Sequence, residues 1–319
     1  MLTSLELCAG AGGQALGLEM AGFAHRAVVE IDRDCCHTLQ LNRPKWNVIE
    51  KDIWDFDAAK YEGLDLLAGG LPCPPFSVAG KQLGAKDERN LFPAALRIIE
   101  QVKPRAIMIE NVRGFLDGVF LDYREALRDR LYSMGYITQW RLLNASDFGV
   151  PQLRPRVIIV ALKRDIWDRF DWPQVSGQNP PTVGETLYPM MASRGWRGAE
   201  AWKARADEVA PTLVGGSKKH GGPDLGPSRA KRAWASLGVD GLGVADLAPG
   251  PGDSIKLTPR LTVPMVALLQ GFPAEWKFAG RKTAAYRQVG NAFPPPVACA
   301  VATQISKALS AKRSLRLAA

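Results

Sequence analysis

Long apolar runs are missing from this sequence. No stretch of ~20 consecutive apolar residues occurs, so the chain offers no candidate membrane-spanning helix. Residues 1–6 lack a basic region followed by an apolar core, so no secretory leader is expected, and the expected compartment is the cytoplasm. Cysteine is sparse: five residues, Cys8, Cys35, Cys36, Cys73 and Cys299, with no Cys-x-x-Cys pair. An odd count without paired spacing argues against a disulfide framework and against a zinc site. Histidine is scarcer still, and His25, His37 and His220 show no metal-ligand spacing, so no metal is expected. No internal repeat is present.

What is present is an ordinary globular composition with a basic excess. Of the 319 residues, 46% are hydrophobic and 23% charged, with a net charge of +9. A surplus of cations suits a polyanionic partner, because neutralising phosphates releases counterions. A merely basic protein would have the same charge, so the partner has to be argued from motifs.

The first half reads as alternating strands and helices. Residues 2–8, 27–31, 64–68, 105–109, 136–144 and 157–162 have strand character. Residues 14–21, 34–42, 91–102 and 123–134 have helical apolar spacing. This alternation predicts an α/β fold with a mostly parallel sheet covered by helices on both faces. From about residue 163 the texture changes, with dense Pro and Gly around 177–184, 215–227 and 241–252 and no surviving period. A small loop-rich unit is expected there, with Trp167, Trp172, Trp196, Trp202 and Trp234 more naturally its core than base-stacking platforms. Residues 298–309 return to helical spacing, and the basic tail 312–316 reads as solvated.

Three clusters carry chemistry. After the first strand comes Cys8-Ala9-Gly10-Ala11-Gly12-Gly13, a glycine turn that lets a ligand approach the backbone. Glu30 ends the second strand and could accept hydrogen bonds from ribose hydroxyls, and Asp52 could accept from an adenine amine. Either carboxylate could equally be a helix cap or turn residue. Together they fit an adenosine-containing ligand without choosing between a nicotinamide cofactor and S-adenosylmethionine. The second cluster is Gly69-Gly70-Leu71-Pro72-Cys73-Pro74-Pro75-Phe76-Ser77, which puts a thiol on a proline-framed loop after a strand. The third is Glu110-Asn111-Val112 together with Gln152-Leu153-Arg154-Pro155-Arg156, which offers an acid and two cations.

These blocks resemble, in order, those of the DNA (cytosine-5)-methyltransferase family of the bacterial type II restriction-modification kind. The late blocks agree as well: residues 260–273, with Leu269-Gln270-Gly271-Phe272-Pro273, and Gln288-Val289-Gly290-Asn291-Ala292. The resemblance spans nearly the whole chain outside the variable segment. It implies a Rossmann-like S-adenosylmethionine-dependent catalytic domain, discontinuous over 1–164 and 283–319, and a target-recognition domain over 165–282. It implies that Cys73 is the nucleophile, Glu110 the group at cytosine N3, Arg156 the cation near O2, and Arg154 a supporting residue. Gly10, Gly12, Glu30, Asp52, Gly70, Pro72, Leu91 and Asn291 would form the S-adenosylmethionine pocket, releasing S-adenosylhomocysteine. Residues 76–90, with Ser77, Gly80, Lys81, Gln82 and Arg89, resemble the loop that closes over flipped DNA. Lys218, Lys219, Arg229 and Arg232 in the variable segment combine cations with flexible backbone suited to grooves or phosphates. One departure stands out: Cys8 occupies a position where the family usually has Phe, which predicts a weaker cofactor contact.

The chemistry agrees with the motifs. Carbon 5 of cytosine is a poor nucleophile; thiolate addition at C6, helped by an acid at N3 and a cation at O2, makes it an enamine. The base must be flipped out of the duplex, since both of its faces are otherwise stacked. Double-stranded DNA is therefore the expected partner, a nearby-encoded restriction endonuclease the expected companion, and a monomer the expected state. The competing readings are a tRNA cytosine-5 methyltransferase, whose Cys-Phe-Thr signature is absent here, and a catalytically silent DNA-binding relative. A nicotinamide dehydrogenase would leave Cys73 and Glu110 unexplained.

Overall fold

The computed structural model describes residues 1–71, 90–175, 177, 179–216 and 222–311. Seven strands form one sheet: β1 (Leu2–Leu7), β2 (Phe23–Glu30), β3 (Val48–Glu50), β4 (Leu66–Gly70), β5 (Ala106–Val112), β6 (Tyr136–Asn144) and β7 (Pro155–Lys163), in the order β3-β2-β1-β4-β5-β7-β6. The first five are parallel; β7 runs antiparallel to both β5 and β6. The central strands are apolar on both faces, as a doubly covered sheet requires. In β7, Val157, Ile159 and Ala161 join one core cluster, and the alternating Ile158, Val160 and Leu162 join the other.

Helices α1 (Gly13–Met20), α2 (Arg33–Asn42), α3 (Phe92–Val102) and α4 (Leu121–Ser133) connect the strands. Helix α3 buries Phe92, Ala95, Ile98, Ile99 and Val102 against one sheet face, the i, i+3, i+4 stripe read from its sequence. The opposite face is covered by α1 and by the last helix, which begins at Pro295, earlier than its apolar period suggests. Proline is favourable in a first turn, where its missing N–H would be unbonded anyway and its φ is already helical.

The segment after β7 is more helical than its Pro and Gly content predicts. It holds α5 (Arg164–Trp167), α6 (Val183–Ala192), α7 (Ala199–Arg205), α8 (Ser228–Ser236) and α9 (Val263–Leu269), before α10 (Lys282–Asn291) and α11 (Pro295–Ser310). Helix α6 starts with a capping box, Thr182 with Glu185, and α9 is capped by Thr262; these side-chain bonds compensate for short length. All five tryptophans serve as packing, as expected, but in two places. Trp167 and Trp172 pack against the sheet-side cluster. Trp196, Trp202 and Trp234 fill a second cluster that also takes in Ala11 and Leu16 of α1 and Tyr286 and Val289 of α10. The second core is thus continuous with the glycine turn after β1. The indoles of Trp196 and Trp202 donate to the carbonyls of Ser254 (2.9 Å) and Gly238 (3.0 Å).

Trp234 is fully buried, and its indole N–H meets no acceptor among the described residues. Its value is therefore packing alone. Trp234→Ala is expected to lower unfolding free energy by about 3–5 kcal/mol, the usual cost of an aromatic cavity. Trp234→Phe should lose far less, since no hydrogen bond goes with it. Urea denaturation measures both, and equal losses would contradict this account.

Candidate active site

The carboxyl ends of β1, β2, β4 and β5 converge on one edge of the sheet, where open α/β folds bind ligands. At the end of β1, Cys8, Gly10 and Gly12 all have positive φ (52°, 55° and 86°). Glycine takes that conformation without strain, and Cys8 takes it at a cost. A Cβ at Gly10 would touch nothing within 4 Å, so the backbone there is open to an incoming ligand.

Glu30 ties this turn to β2. One carboxylate oxygen accepts from the Gly10 N–H (2.7 Å); the other accepts from the Ile31 and Asp32 N–H groups (2.8 and 2.7 Å). Burial pushes its pKa up against the opposing pull of these bonds. The turn-residue reading holds, and the oxygen that accepts only from Gly10 keeps a second lone pair for a further donor. Asp52 accepts from the Trp54 N–H (2.9 Å), also organising a turn. Ile31, next to Glu30, is 63% exposed. The sequence gives Ile31 no role, yet an exposed apolar side chain beside the Glu30 carboxylate offers a surface to the face of an aromatic ring. The edge thus has the features of a site for S-adenosylmethionine: open backbone at Gly10, a buried acceptor at Glu30, and an apolar side chain nearby.

At β4 and β5, Gly70 and Glu110 are paired in register. A Cβ at Gly70 would lie 3.6 Å from Oε2 of Glu110, in ordinary van der Waals contact, so the glycine lies directly against the acid. Sequence reading ended the β5 strand at Ile109; it continues to Val112, so Glu110 is held by ladder hydrogen bonds on both sides. Its carboxylate meets the Arg156 Nε at 2.7 Å, with both side chains largely buried. Burial pushes the Glu110 pKa above the ordinary carboxylate value, while Arg156 and then Arg154 pull the other way.

Arg154 is 1% exposed, and its guanidinium donates to the carbonyls of Leu213 (2.7 Å), Gly290 (2.9 Å) and Ala292 (3.0 Å). These bonds join β7 to two distant segments. Asn291 donates to the Gly216 carbonyl (3.2 Å), and Leu91 is half-buried at the start of α3. Cys73, Pro72, Ser77, Lys81, Gln82, Arg89, Lys218 and Lys219 lie outside the described residues.

Arg229 and Arg232 do not sit on flexible backbone, as their glycine-rich surroundings suggest. Both project from α8, one turn apart and exposed, while Trp234 anchors the opposite face and Lys231 pairs with Asp224 (3.0 Å). The buried tryptophan fixes the helix, and the helix presents the cations.

Three of the other cysteines are poor candidates for a nucleophile. Burial and neighbouring carboxylates push the thiols of Cys8 and Cys35 far up, and that of Cys36 up to about 12. A thiolate at any of these positions is disfavoured near neutral pH.

The family description "C-5 cytosine-specific DNA methylase" matches residues 2–218 and 232–307. The chain is 57% identical over 313 residues to Type II methyltransferase M.NaeI of Lentzea aerocolonigenes, covering 97% of this chain and 76% of that protein. It is 53% identical over 311 residues to Type II methyltransferase M.NgoMIV of Neisseria gonorrhoeae, covering 96% and 98%. Among solved structures, the Dnmt2 methyltransferase of S. pombe shares the fold with a TM-score of 0.65 at 20% identity, covering 97% of this chain and 100% of that one. An E. coli prophage protein assigned as a DNA modification methyltransferase gives 0.71 at 22%, covering 98% and 100%. The glycine turn, the carboxylate on β5 and the two arginines at the entry to β7 thus stand in a chain that belongs to the C-5 cytosine-specific DNA methylases and is a DNA (cytosine-5-)-methyltransferase using S-adenosylmethionine.

Proposed function

We propose that Cys73 is the nucleophile of this enzyme, with Glu110 acting at cytosine N3 and Arg156 at O2. The observation that carries the reading is the buried Glu110–Arg156 pair at the carboxyl edge of the sheet, which sets an acid and a cation side by side. The Cys73 thiolate adds to C6 of the flipped cytosine. Glu110 gives a proton to N3 as electron density moves into the ring, and Arg156 holds O2. S-adenosylmethionine, when bound, supplies an electrophilic methyl group for the activated C5. Water or hydroxide takes the C5 proton, the Cys73 thiolate is expelled as the C5–C6 double bond re-forms, and N3 returns its proton to the Glu110 carboxylate, restoring the aromatic ring. Thiol, acid and guanidinium meet every need of this chemistry, so the reading assigns no metal.

Gly10, Gly12, Glu30, Asp52, Gly70, Pro72, Leu91 and Asn291 are assigned to the cofactor pocket, with Ile31 as an added apolar contact. Residues 1–164 and 283–319 are assigned to the catalytic domain and 165–282 to target recognition. Ser77, Lys81, Gln82, Arg89, Lys218, Lys219, Arg229 and Arg232 are assigned to DNA. The relatives named Type II methyltransferases support a modification role. On that reading the enzyme is a cytoplasmic, nucleoid-associated monomer that protects its sites from a companion endonuclease. Among the described residues no helix is long and apolar enough to cross a membrane.

Purified enzyme incubated with tritiated S-adenosylmethionine and unmethylated duplex DNA is expected to transfer label, and bisulfite sequencing should place 5-methylcytosine at one short sequence. Cys73→Ser should abolish transfer. Labelling of tRNA alone, in a parallel reaction, would move the enzyme to RNA.

The pH profile follows from Glu110. Its working form is protonated, so kcat/KM should fall as pH rises through its pKa, which burial holds above the ordinary carboxylate value. Arg156→Met removes the charge that opposes burial. The residual activity, though much reduced, should therefore keep its alkaline limb to higher pH than the wild type. An unmoved limb would show that Glu110 is not the titrating group.

A further inference from the structure

Gln152, Arg154 and Arg156 alternate along one extended stretch, which places their side chains on one face. Only Arg156 reaches Glu110. The other two reach into a buried polar junction built from three segments far apart in sequence. Gln152, fully buried, accepts from the Leu213 N–H (2.9 Å) and donates to the Leu269 carbonyl (3.1 Å) and to the Gln270 side-chain oxygen (2.6 Å). Gln270, also fully buried, donates in turn to the Ala292 carbonyl, which Arg154 shares at 3.0 Å. The same junction holds residues 210–216 as a strap. The Leu153 N–H donates to Ala210 (2.7 Å), the Ala210 N–H to Pro151 (3.0 Å), and Tyr286 to the Val214 carbonyl (3.1 Å).

Two glycines close the junction. A Cβ on Gly290 would lie 2.5 Å from the backbone nitrogen of Gly215 and 2.6 Å from its Cα. Backbone meets backbone there, so the strap and α10 have no slack between them.

We propose that Gln152, Gln270 and Gly290 are positioning residues that lock the 210–216 strap to the arginine-bearing start of β7, so that DNA engagement by the strap is transmitted to Arg156. The inference rests on the assignment of Arg156 and of residues 165–282 made above. A buried amide pair satisfied at both ends specifies one arrangement, because any slip would leave polar groups unpaired in a low-dielectric interior. Apolar side chains would fill the same volume and tolerate several registers. The strap runs directly into the cationic glycine-rich stretch of residues 215–222, and Arg156 lies two residues from Arg154. A shift of the strap therefore has a short route to the group assigned to the base.

The test uses full-length Gln152→Leu, Gln270→Leu, the double variant and Gly290→Ala, assayed on duplexes carrying the wild-type site mapped by bisulfite sequencing and on duplexes with one base pair of that site changed. Single-turnover rate, site discrimination, S-adenosylmethionine affinity and melting temperature are measured together. Each glutamine variant should lose rate on the mapped site by about tenfold or more, as a misplaced catalytic constellation does. Discrimination should fall as well, while cofactor affinity changes by less than about twofold in the glutamine variants, whose amides bond to none of the residues assigned to that pocket; Gly290→Ala, beside Asn291, is read on rate and discrimination alone. The double variant should be little worse than the worse single one, because the two amides form one unit. Gly290→Ala should copy the pattern by moving the strap without touching either amide, and it decides the matter should the leucine variants not fold. Lower melting temperatures with undiminished rate and discrimination in the folded variants would overturn the proposal and leave a purely structural junction. Retained activity in Cys73→Ser would instead overturn the reading of the site beneath it.

Discussion

A carboxylate and a guanidinium meet at 2.7 Å between Glu110 and Arg156, where two strands run in opposite directions. In a wholly parallel sheet, the start of the last strand would lie at the far edge from the end of β5. Because β7 is reversed, its first residues come alongside the last residues of β5, with Arg156 opposite Val112 and Ile158 opposite Glu110. The side chains of Glu110 and Arg156 then emerge on the same face and close the pair. Most of the chemistry at this edge follows from that one reversal.

Burying such a pair carries a desolvation penalty that its Coulombic attraction need not repay, so the pair is poor evidence for a stability device. Its consequence is a poised acid. Burial alone would favour neutral Glu110, and the arginines alone would favour its anion. Burial prevails, and the net direction is upward, toward the protonated form that the proposed role at N3 requires.

The second organising feature is the cluster of polar groups around Arg154. Its three carbonyl partners come from the segment before residue 216 and from the end of α10, so one buried cation gathers parts of the chain assigned to different tasks. The apolar counterpart is the core cluster that joins Trp196, Trp202 and Trp234 to Ala11 and Leu16. The glycine turn and the segment assigned to recognition therefore share one core.

The sequence by itself determined the layered α/β architecture, the glycine turn and the family, and it supplied the candidates for thiol, acid and arginines, because each is written in local patterns. Apolar runs of strand length, a 3.6-residue stripe in α3 and ordered motifs need no distant partner to be read. The helices of the segment assigned to recognition were less legible: α6 to α9 are short, α6 and α9 rely on side-chain caps, and Trp202 of α7 and Trp234 of α8 tie their helices into a core shared with distant segments, so local period failed where tertiary packing decided. Arg229 and Arg232 show the same limit, since only the burial of Trp234 fixes the helix that displays them. What tertiary structure alone decided was which polar residues meet. Gln152, Gln270 and Gly290 are ordinary within their own segments. They become a junction only when the antiparallel β7, the 210–216 strap and α10 are brought together, because hydrogen bonds between segments more than fifty residues apart leave no local pattern in either one.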